Sequence, residues 1–503
     1  MYLAVVRPAR TVVAGRAVAA YAGAGSGVFT GGGGAFTGGE PIAGPAKMPA
    51  GDFSAVLKRQ WSPILRAFDV DAFYLGFWHL ILDLSTRIQL AISWVETNVI
   101  AAMVVGVVIV VLAVYREIPN ALRIPMVGGE RVPLLIAVSS GLALLALVAA
   151  ATASKSCRKL TGLMLASGAP AVVGLLVESA GLRLILLEAS SFLALLLVWK
   201  CAKTKSAAWT FATVIVASAA TLIPGLLLLE HGNAELARTL LIAGFFLKLG
   251  MVPFLWLPTV AEKVPALVIG MVICVLDIAA FGELCVVTKA APWMLEPKGL
   301  CLSVAAISTF VAALLMLAQK DMKRLLALST VEDIGFLCFG LVASATVGFE
   351  GAVLGAATHA IAKALLFISI SSPEANGDLR STSRGLASRY PVSAAGFLIG
   401  MLAVLGIPPT IGFAGRWRIY EMGAQLGAGW MAVLIASSML ALIAYVRALT
   451  RMWWGVYPTE DSVGLAPAVE TGTAKTCIVI LGALLVIAGV VPSVLEILTR
   501  GAR

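Results

Sequence analysis

Charge is what this chain of 503 residues lacks: Asp, Glu, Lys and Arg make up 13% of it, against 60% hydrophobic residues and a mean hydropathy of +0.97. A soluble protein carries about 25% charged residues, so this chain cannot cover a water-exposed surface of its size. Histidine is scarce, at 3 in all, and the seven cysteines contain no CxxC pair and no local cluster. Iron–sulfur, zinc and nickel sites therefore find no ligand set. Cysteines within apolar runs read as small packing residues instead. No cofactor is expected in this chain, and any redox chemistry must sit on other subunits.

Apolar sequence is abundant. Runs of about 20 residues recur, each long enough to cross a hydrocarbon core of about 30 Å. The fold class is that of an all-α polytopic membrane protein with about thirteen spans: 99–115, 132–152, 159–177, 182–200, 207–229, 236–257, 264–288, 299–318, 323–347, 351–372, 391–422, 425–447 and 476–497. The net charge of +10 invites a nucleic-acid partner, but Lys and Arg fall mainly between the apolar runs. That is the pattern of basic cytoplasmic loops; lipid is the expected surrounding, not nucleic acid. Loops 153–160, 200–206, 258–263, 318–324, 373–390 and 447–475 hold more Lys and Arg than the opposite face, whose share includes Arg183, Arg238 and Arg416. The excess predicts an integral protein of the cell (inner) membrane, with a cytoplasmic N-terminal segment and the C-terminus outside.

The chain divides into three parts. Residues 1–53 hold Arg7, Arg10 and Arg16, no acid before Glu40, and the tract Gly31–Gly34. They read as a flexible tail, with a transit peptide as the alternative. Within 54–98, His79, Asp83 and Arg87 recur every four residues against an apolar remainder. This predicts an amphipathic helix, interfacial or packed laterally. Residues 99–503 form the transmembrane core.

Two spans carry their own interruptions. FFLKLGMVPFLWLP places Gly250 and Pro253 just after Lys248, and GIPPTIGFAGRW places Gly406, Pro408, Pro409 and Gly412 at mid-membrane depth. Proline removes an amide donor and clashes with the carbonyl four residues back, so each helix should open there. Open backbone is tolerated in a membrane only inside protein or beside a wet cavity. Paired broken helices mark ion and substrate pathways. These two lie about 160 residues apart, an interval that fits one structural repeat.

Ionisable residues inside spans cost several kcal/mol unless paired or hydrated. Glu188, Lys248, Asp277, Glu283, Glu332, Asp333, His359, Lys363 and Arg416 are the candidates. Glu188 is alone in LRLILLEASSFLALLL on its C-terminal side and needs a cation; Lys248, alone in its own apolar helix, can supply it. Such a pair is either a switchable station or a static lock between two helices. His359 and Lys363, four apart in ATHAIAKALLF, share a helix face and read as two stations of a proton path, or as a core histidine with a snorkelling lysine. Glu332 and Asp333, read near a cytoplasmic helix end, suit a mouth for protons or the lining of a vestibule. Lys320, Asp321 and Lys323 read as ordinary loop charges.

Five ordered blocks now carry a resemblance: LEASSFLALLL, LKLGMVPFLWLP, QKDMKRLLALSTVEDIGF, THAIAKALLF and GIPPTIGFAGRW, over roughly 130–450. The chain resembles the antiporter-like membrane subunits of respiratory complex I, Mrp-type cation/proton antiporters and group 4 [NiFe]-hydrogenases. STVEDIG looks most like the form found in hydrogenase-4 and formate hydrogenlyase subunits. The resemblance implies a fourteen-helix core of two inverted five-helix repeats, each with a broken helix. A charged axis at mid-membrane, with other membrane subunits as partners, belongs to the same expectation. It makes Glu188 and Lys248 the coupling pair, His359 and Lys363 the central axis, and Arg416 the match of a terminal lysine or glutamate in the second broken helix. A family core lacking its first helix would account for thirteen spans. Residues 31–98 resemble, weakly, the tail and lateral helix that follow the core in related subunits.

The departures fall at functional positions. Gly355 stands where the family often has a second histidine, and Cys274 and Asp277 lie where a lysine or histidine is usual. Arg416 replaces a lysine, and a guanidinium stays protonated under ordinary conditions. It can modulate a path but cannot readily hand on a proton. The expected function is proton or sodium translocation in a redox-driven complex. A stand-alone Mrp-type antiporter subunit and a non-pumping structural subunit are the alternatives.

Overall fold

The computed structural model of the chain describes residues 134–177, 180–230, 234–344, 346–380, 383–454 and 470–491, together with most of 76–89. These residues belong to the compact unit Ile81–Arg503 except for the few before Ile81. The tail 1–53, the span 99–115, most of 54–98 and the C-terminus lie outside the described residues.

Among the described residues there is no strand, and ten helices are long and apolar enough to cross a membrane. They are α1 (Leu134–Ala153), α2 (Thr161–Leu176), α3 (Ala180–Cys201), α4 (Lys205–Glu230), α7 (Ala266–Ala290), α8 (Lys298–Ala318), α9 (Met322–Ala343), α10 (Val347–Ala375), α13 (Ala428–Ala448) and α14 (Gly472–Val490). Four shorter helices form two broken pairs: α5 (Ala234–Lys248) with α6 (Leu257–Lys263), and α11 (Pro391–Val404) with α12 (Gly412–Leu426). Each expected span from 132–152 to 425–447 overlaps one of these helices or pairs, and 476–497 does so over its described part.

Both breaks are built alike. At the first, Gly250 takes φ +65° and donates to Leu247 O, while the Met251 amide reaches back to Phe246 O. At the second, Gly406 takes φ +66° and donates to Ala403 O, while the Ile407 amide reaches Leu402 O. A left-handed glycine followed by a six-to-one bond is the Schellman way of closing a helix. The freed groups find partners inside the protein, as a lipid environment demands. The Val252 amide donates to Ser308 Oγ of α8 at 3.0 Å, the Trp256 indole donates to Leu247 O at 3.0 Å, and the Ile411 amide donates to Leu485 O of α14 at 3.0 Å.

Burial is graded from the middle outward. The hydropathic windows of α7 and α9 are wholly buried and that of α10 is 89% buried, whereas those of α2 and α14 are 33% buried. A charge on α7, α9 or α10 is therefore as far from lipid as this fold allows. Leu145, Trp209 and Val479, on outer helices, are exposed, as lipid-facing side chains should be. Close approach at the centre depends on small residues. A Cβ on Gly415 of α12 would meet the Gly355 amide nitrogen of α10 at 2.8 Å and the Gly351 carbonyl at 3.1 Å. A Cβ on Gly355 would in turn collide with Leu337. Leu337 would have to move for any larger residue at position 355, so the glycine noted in the sequence fits this close packing.

Of the residues before 134, those at 78–87 are helical. Asp83 and Arg87 pair at 2.7 Å on an exposed face, and buried Ser85 donates to Leu314 O at 2.7 Å. His79 is exposed.

Candidate functional site

Glu188 and Lys248 meet. Lys248 Nζ donates to Glu188 Oε1 at 2.6 Å, with both side chains more than nine-tenths buried. Lys248 is the last residue of α5, so the helix break sets it at the edge of an opened turn, where its side chain reaches across to α3. The pair faces a cavity of about 20 Å³, room for about one water, lined also by Ser190, Ser191, Leu276 and Glu283.

Beside it lies a second buried pair that the sequence left unnoticed. Arg183 Nε donates to Glu283, and Arg183 Nη1 donates to Val177 O at 3.2 Å. Glu283 was a candidate by its depth. Arg183, by its sequence position a loop cation, is 3% exposed. Its place in LRLILLE, five residues before Glu188 in an otherwise apolar run, was the available signal.

Two further loop cations of the sequence, Arg238 and Lys323, are buried in the helices, as is the span candidate Arg416. Arg238 in α5 has its guanidinium 6.0 Å from the Trp293 ring. Lys323 in α9 is bonded to Glu374 Oε1 and Val264 O, both at 2.8 Å. Arg416 is described below. Asp321 caps α9 by accepting from the Arg324 amide at 2.9 Å.

A larger cluster sits where α9, α10 and α12 converge. Glu332 and Asp333 lie in the middle of α9, 0% and 5% exposed. They are not at a helix end, so neither forms a mouth nor lines an open vestibule. The close α10–α12 crossing brings Arg416 onto them: its Nη2 donates to Glu332 Oε1 at 3.1 Å, Glu332 Oε2 at 3.0 Å and Asp333 Oδ1 at 3.0 Å. Its Nη1 donates to Ser438 Oγ at 2.8 Å, and its guanidinium carbon stands 4.4 Å from the Phe336 ring centre. Arg416 is therefore clamped from three sides. Next along, Asp333 Oδ2 bonds His359 Nδ1 at 2.6 Å, and His359 Nε2 makes no hydrogen bond among the described residues. Lys363, 0% exposed and beyond snorkelling reach, donates to Ser329 Oγ at 2.7 Å and Leu326 O at 3.0 Å. Ser329 also bonds the Tyr445 hydroxyl at 2.6 Å. Ser329 and Asp333, four apart on α9, thus face Lys363 and His359, four apart on α10.

A π-helical turn, Val272–Asp277, lies within α7 between the two clusters. Asp277 is 4% exposed, and among the described residues its Oδ2 makes no hydrogen bond and the charge acting on it is that of Lys248. Cys274, three residues earlier, is in the field of both Asp277 and Lys363. The turn spans the gap with no cation of its own.

Buried ion pairs are a poor route to stability, because apolar residues of similar volume often do as well or better. Several of them along one line of helices therefore ask for another reason. Among the described residues no group of three His, Cys, Asp or Glu side chains is arranged to hold a metal.

Residues 176–443 match the family model described as the transmembrane region of NADH:quinone oxidoreductase and Mrp antiporter subunits. The chain belongs to that family. All eight residues taken as the ion path (Glu188, Lys248, Asp277, Glu332, Asp333, His359, Lys363 and Arg416) fall inside the match. The chain is 33% identical over 266 residues to NADH-quinone oxidoreductase subunit N of Saccharopolyspora erythraea, covering 50% of each chain. It is 30% identical over 262 residues to subunit N 3 of Streptomyces griseus, covering 50% of this chain and 46% of that one. It thus spans about half the length of the curated relatives it matches.

The fold extends further than the sequence likeness. A chain of the Mrp complex from Dietzia sp. superposes with a TM-score of 0.67 at 18% identity, covering 84% of this chain and 95% of the other. A chain of respiratory complex I from Thermus thermophilus gives 0.59 at 22% identity, covering 83% and 97%. A chain of an archaeal membrane-bound sulfane sulfur reductase gives 0.65 at 21% identity, covering 82% and 76%. These relatives are subunits of multisubunit membrane complexes.

Proposed function

We propose that this antiporter-like protein moves protons as one subunit of a redox-driven membrane complex, by switching the Glu188–Lys248 ion pair. The observation that carries this reading is that pair itself: two buried opposite charges at 2.6 Å, at a helix break, beside a cavity of water size. With Lys248 in contact, Glu188 is held as a carboxylate. With Lys248 turned toward Asp277, Glu188 loses its counter-charge and takes up a proton. The cation's new position then repels charge onward past Cys274 to Lys363, and from Lys363 to the Asp333–His359 pair. Sodium in place of the proton is the variant of the same scheme.

The family likeness supports a place among other membrane subunits, and the curated relatives favour a quinone-linked complex. STVEDIGF is the feature that favours a hydrogenase-like one. The basic-loop excess favours a cytoplasmic N-terminal segment, since setting aside the buried Arg183, Arg238, Lys323 and Arg416 leaves it on the same face. The like-built breaks at Gly250 and Gly406 favour two repeats, and the helix at 78–87 suits a lateral arrangement.

A second reading has its own observation. Arg416 is a permanent cation clamped on Glu332 and Asp333, which favours a path whose far half is closed and a subunit that conducts only in part or only anchors its neighbours. The test is the complex purified with its neighbours, reconstituted in lipid vesicles and driven by its own electron donor. Lys248→Met should assemble normally and lose coupled proton movement. Normal stoichiometry in that variant rules the relay out.

A further inference from the structure

The Arg183–Glu283 pair has no part in the relay above, yet it borders the same cavity. Glu188 comes from α3 and Glu283 from α7; both line the space into which Lys248 points. In each carboxylate one oxygen is held by a cation, and the other (Glu188 Oε2, Glu283 Oε1) makes no hydrogen bond among the described residues. Two buried carboxylate oxygens without a donor among the described residues, on side chains that line one water-sized cavity, suit a one-water bridge.

The position of the pair gives the bridge a direction. Arg183 is one turn inside the start of α3 at Ala180, and it reaches Val177 O at the α2–α3 connection. Glu283 lies two turns from the end of α7 at Ala290, six residues beyond Asp277. On a rise of about 1.5 Å per residue, Asp277 and Glu283 stand about 9 Å apart along α7. Asp277 leads toward Cys274 and Lys363; Glu283 leads the other way, to the membrane face where α3 begins and α7 ends. Asp277 does not line the cavity.

We infer that Glu283 is the proton station between the Glu188–Lys248 pair and that membrane face, and that Arg183 is the positioning residue that gates it. The inference rests on the relay reading. When Lys248 swings back to Glu188, its charge expels the proton held there. The Glu188 O–H bond breaks, the cavity water takes that proton and gives up another, and an O–H bond forms at Glu283 Oε1. Protonated Glu283 releases its hold on Arg183. Arg183 then returns, and the proton leaves toward the water at the α2–α3 connection. No charge or atom is gained: one proton crosses from Glu188 to the surface.

A lock between α3 and α7 would look the same in a static structure, so the test must separate lock from gate. In the reconstituted complex, Arg183→Met combined with Glu283→Leu removes both charges and leaves an apolar contact. The gate predicts normal assembly, proton movement down at least tenfold, and a changed pH profile of the residual movement. Arg183→Lys should retain more than half of the parental rate, because a cation is still available. Proton movement at the parental rate with an unchanged pH profile in the double variant overturns the inference. Should the apolar pair fail to assemble, Arg183→Gln with Glu283→Gln, which keeps a hydrogen bond and no charge, is read the same way. Lys248→Met measured alongside separates the two failures. If it pumps normally, the relay is wrong; if it is dead while the double variant is normal, only the gate is wrong.

Discussion

Replacing Arg416 with methionine is the sharpest probe of the central cluster. The guanidinium is the cation bonded to both Glu332 and Asp333, side chains 0% and 7% exposed. Without it, two adjacent carboxylates remain in the middle of a wholly buried helix. Removing one partner of a buried ion pair costs about 3–5 kcal/mol, because the other charge is left uncompensated. Two unit charges of like sign about 4 Å apart repel by about 4 kcal/mol at an effective dielectric constant of 20. The site will relieve part of that by taking up a proton, so about 3–5 kcal/mol is the expected loss rather than the sum. The assay is a double-mutant cycle with Glu332→Gln, read by denaturant unfolding of the protein in detergent micelles. Glu332→Gln in the methionine background should recover about 2 kcal/mol, since a single carboxylate with His359 as partner is then left. Arg416→Lys should lose less than the methionine variant, because charge is retained while the fork that reaches three oxygens is not. If Arg416→Met is as stable as the parent, or the two changes add within about 0.5 kcal/mol, the clamp has no energetic meaning.

Further outcomes follow from single contacts. Gly415→Ala places a methyl 2.8 Å from the Gly355 amide nitrogen; backbone cannot give way cheaply, so a loss of about 1–3 kcal/mol is expected, with unfolding midpoints as the check. Tyr445→Phe removes one partner of Ser329 and leaves Lys363, so stability should fall by about 1 kcal/mol; a loss above about 3 kcal/mol would mean the hydroxyl does more than this one bond. Glu374→Ala strips buried Lys323 of its counter-ion and the Ala266 amide of its acceptor. About 2 kcal/mol should be lost, and Lys323→Met in the same chain should restore much of it.

The spans were readable because lipid imposes one requirement, a run of about 20 apolar residues with every backbone group bonded internally, and that requirement is written locally. The breaks were readable for the same reason. Gly250, Pro253, Gly406 and Pro409 act on their own backbone, and their effect needs no distant partner. Depth is readable for Glu188, Lys248, Asp277, His359 and Lys363, charges in apolar surroundings that are all buried, whereas Glu332 and Asp333, read near a helix end, are buried in mid-helix. Even Gly355 announced itself as a departure, though the Leu337 side chain packed over it did not.

Partnership was another matter. Arg183, Arg238 and Lys323 read as loop cations because each lies within a few residues of a span's end. Whether such a residue faces water or a carboxylate depends on which helix is its neighbour. Only the packing of α3 against α7 gives Arg183 its Glu283, and only the glycine-lined crossing of α10 and α12 brings Arg416 onto Glu332 and Asp333. Hydropathy is a property of one segment, whereas an ion pair 84 residues apart in the chain belongs to two, and its existence is decided by the close packing that sets them side by side.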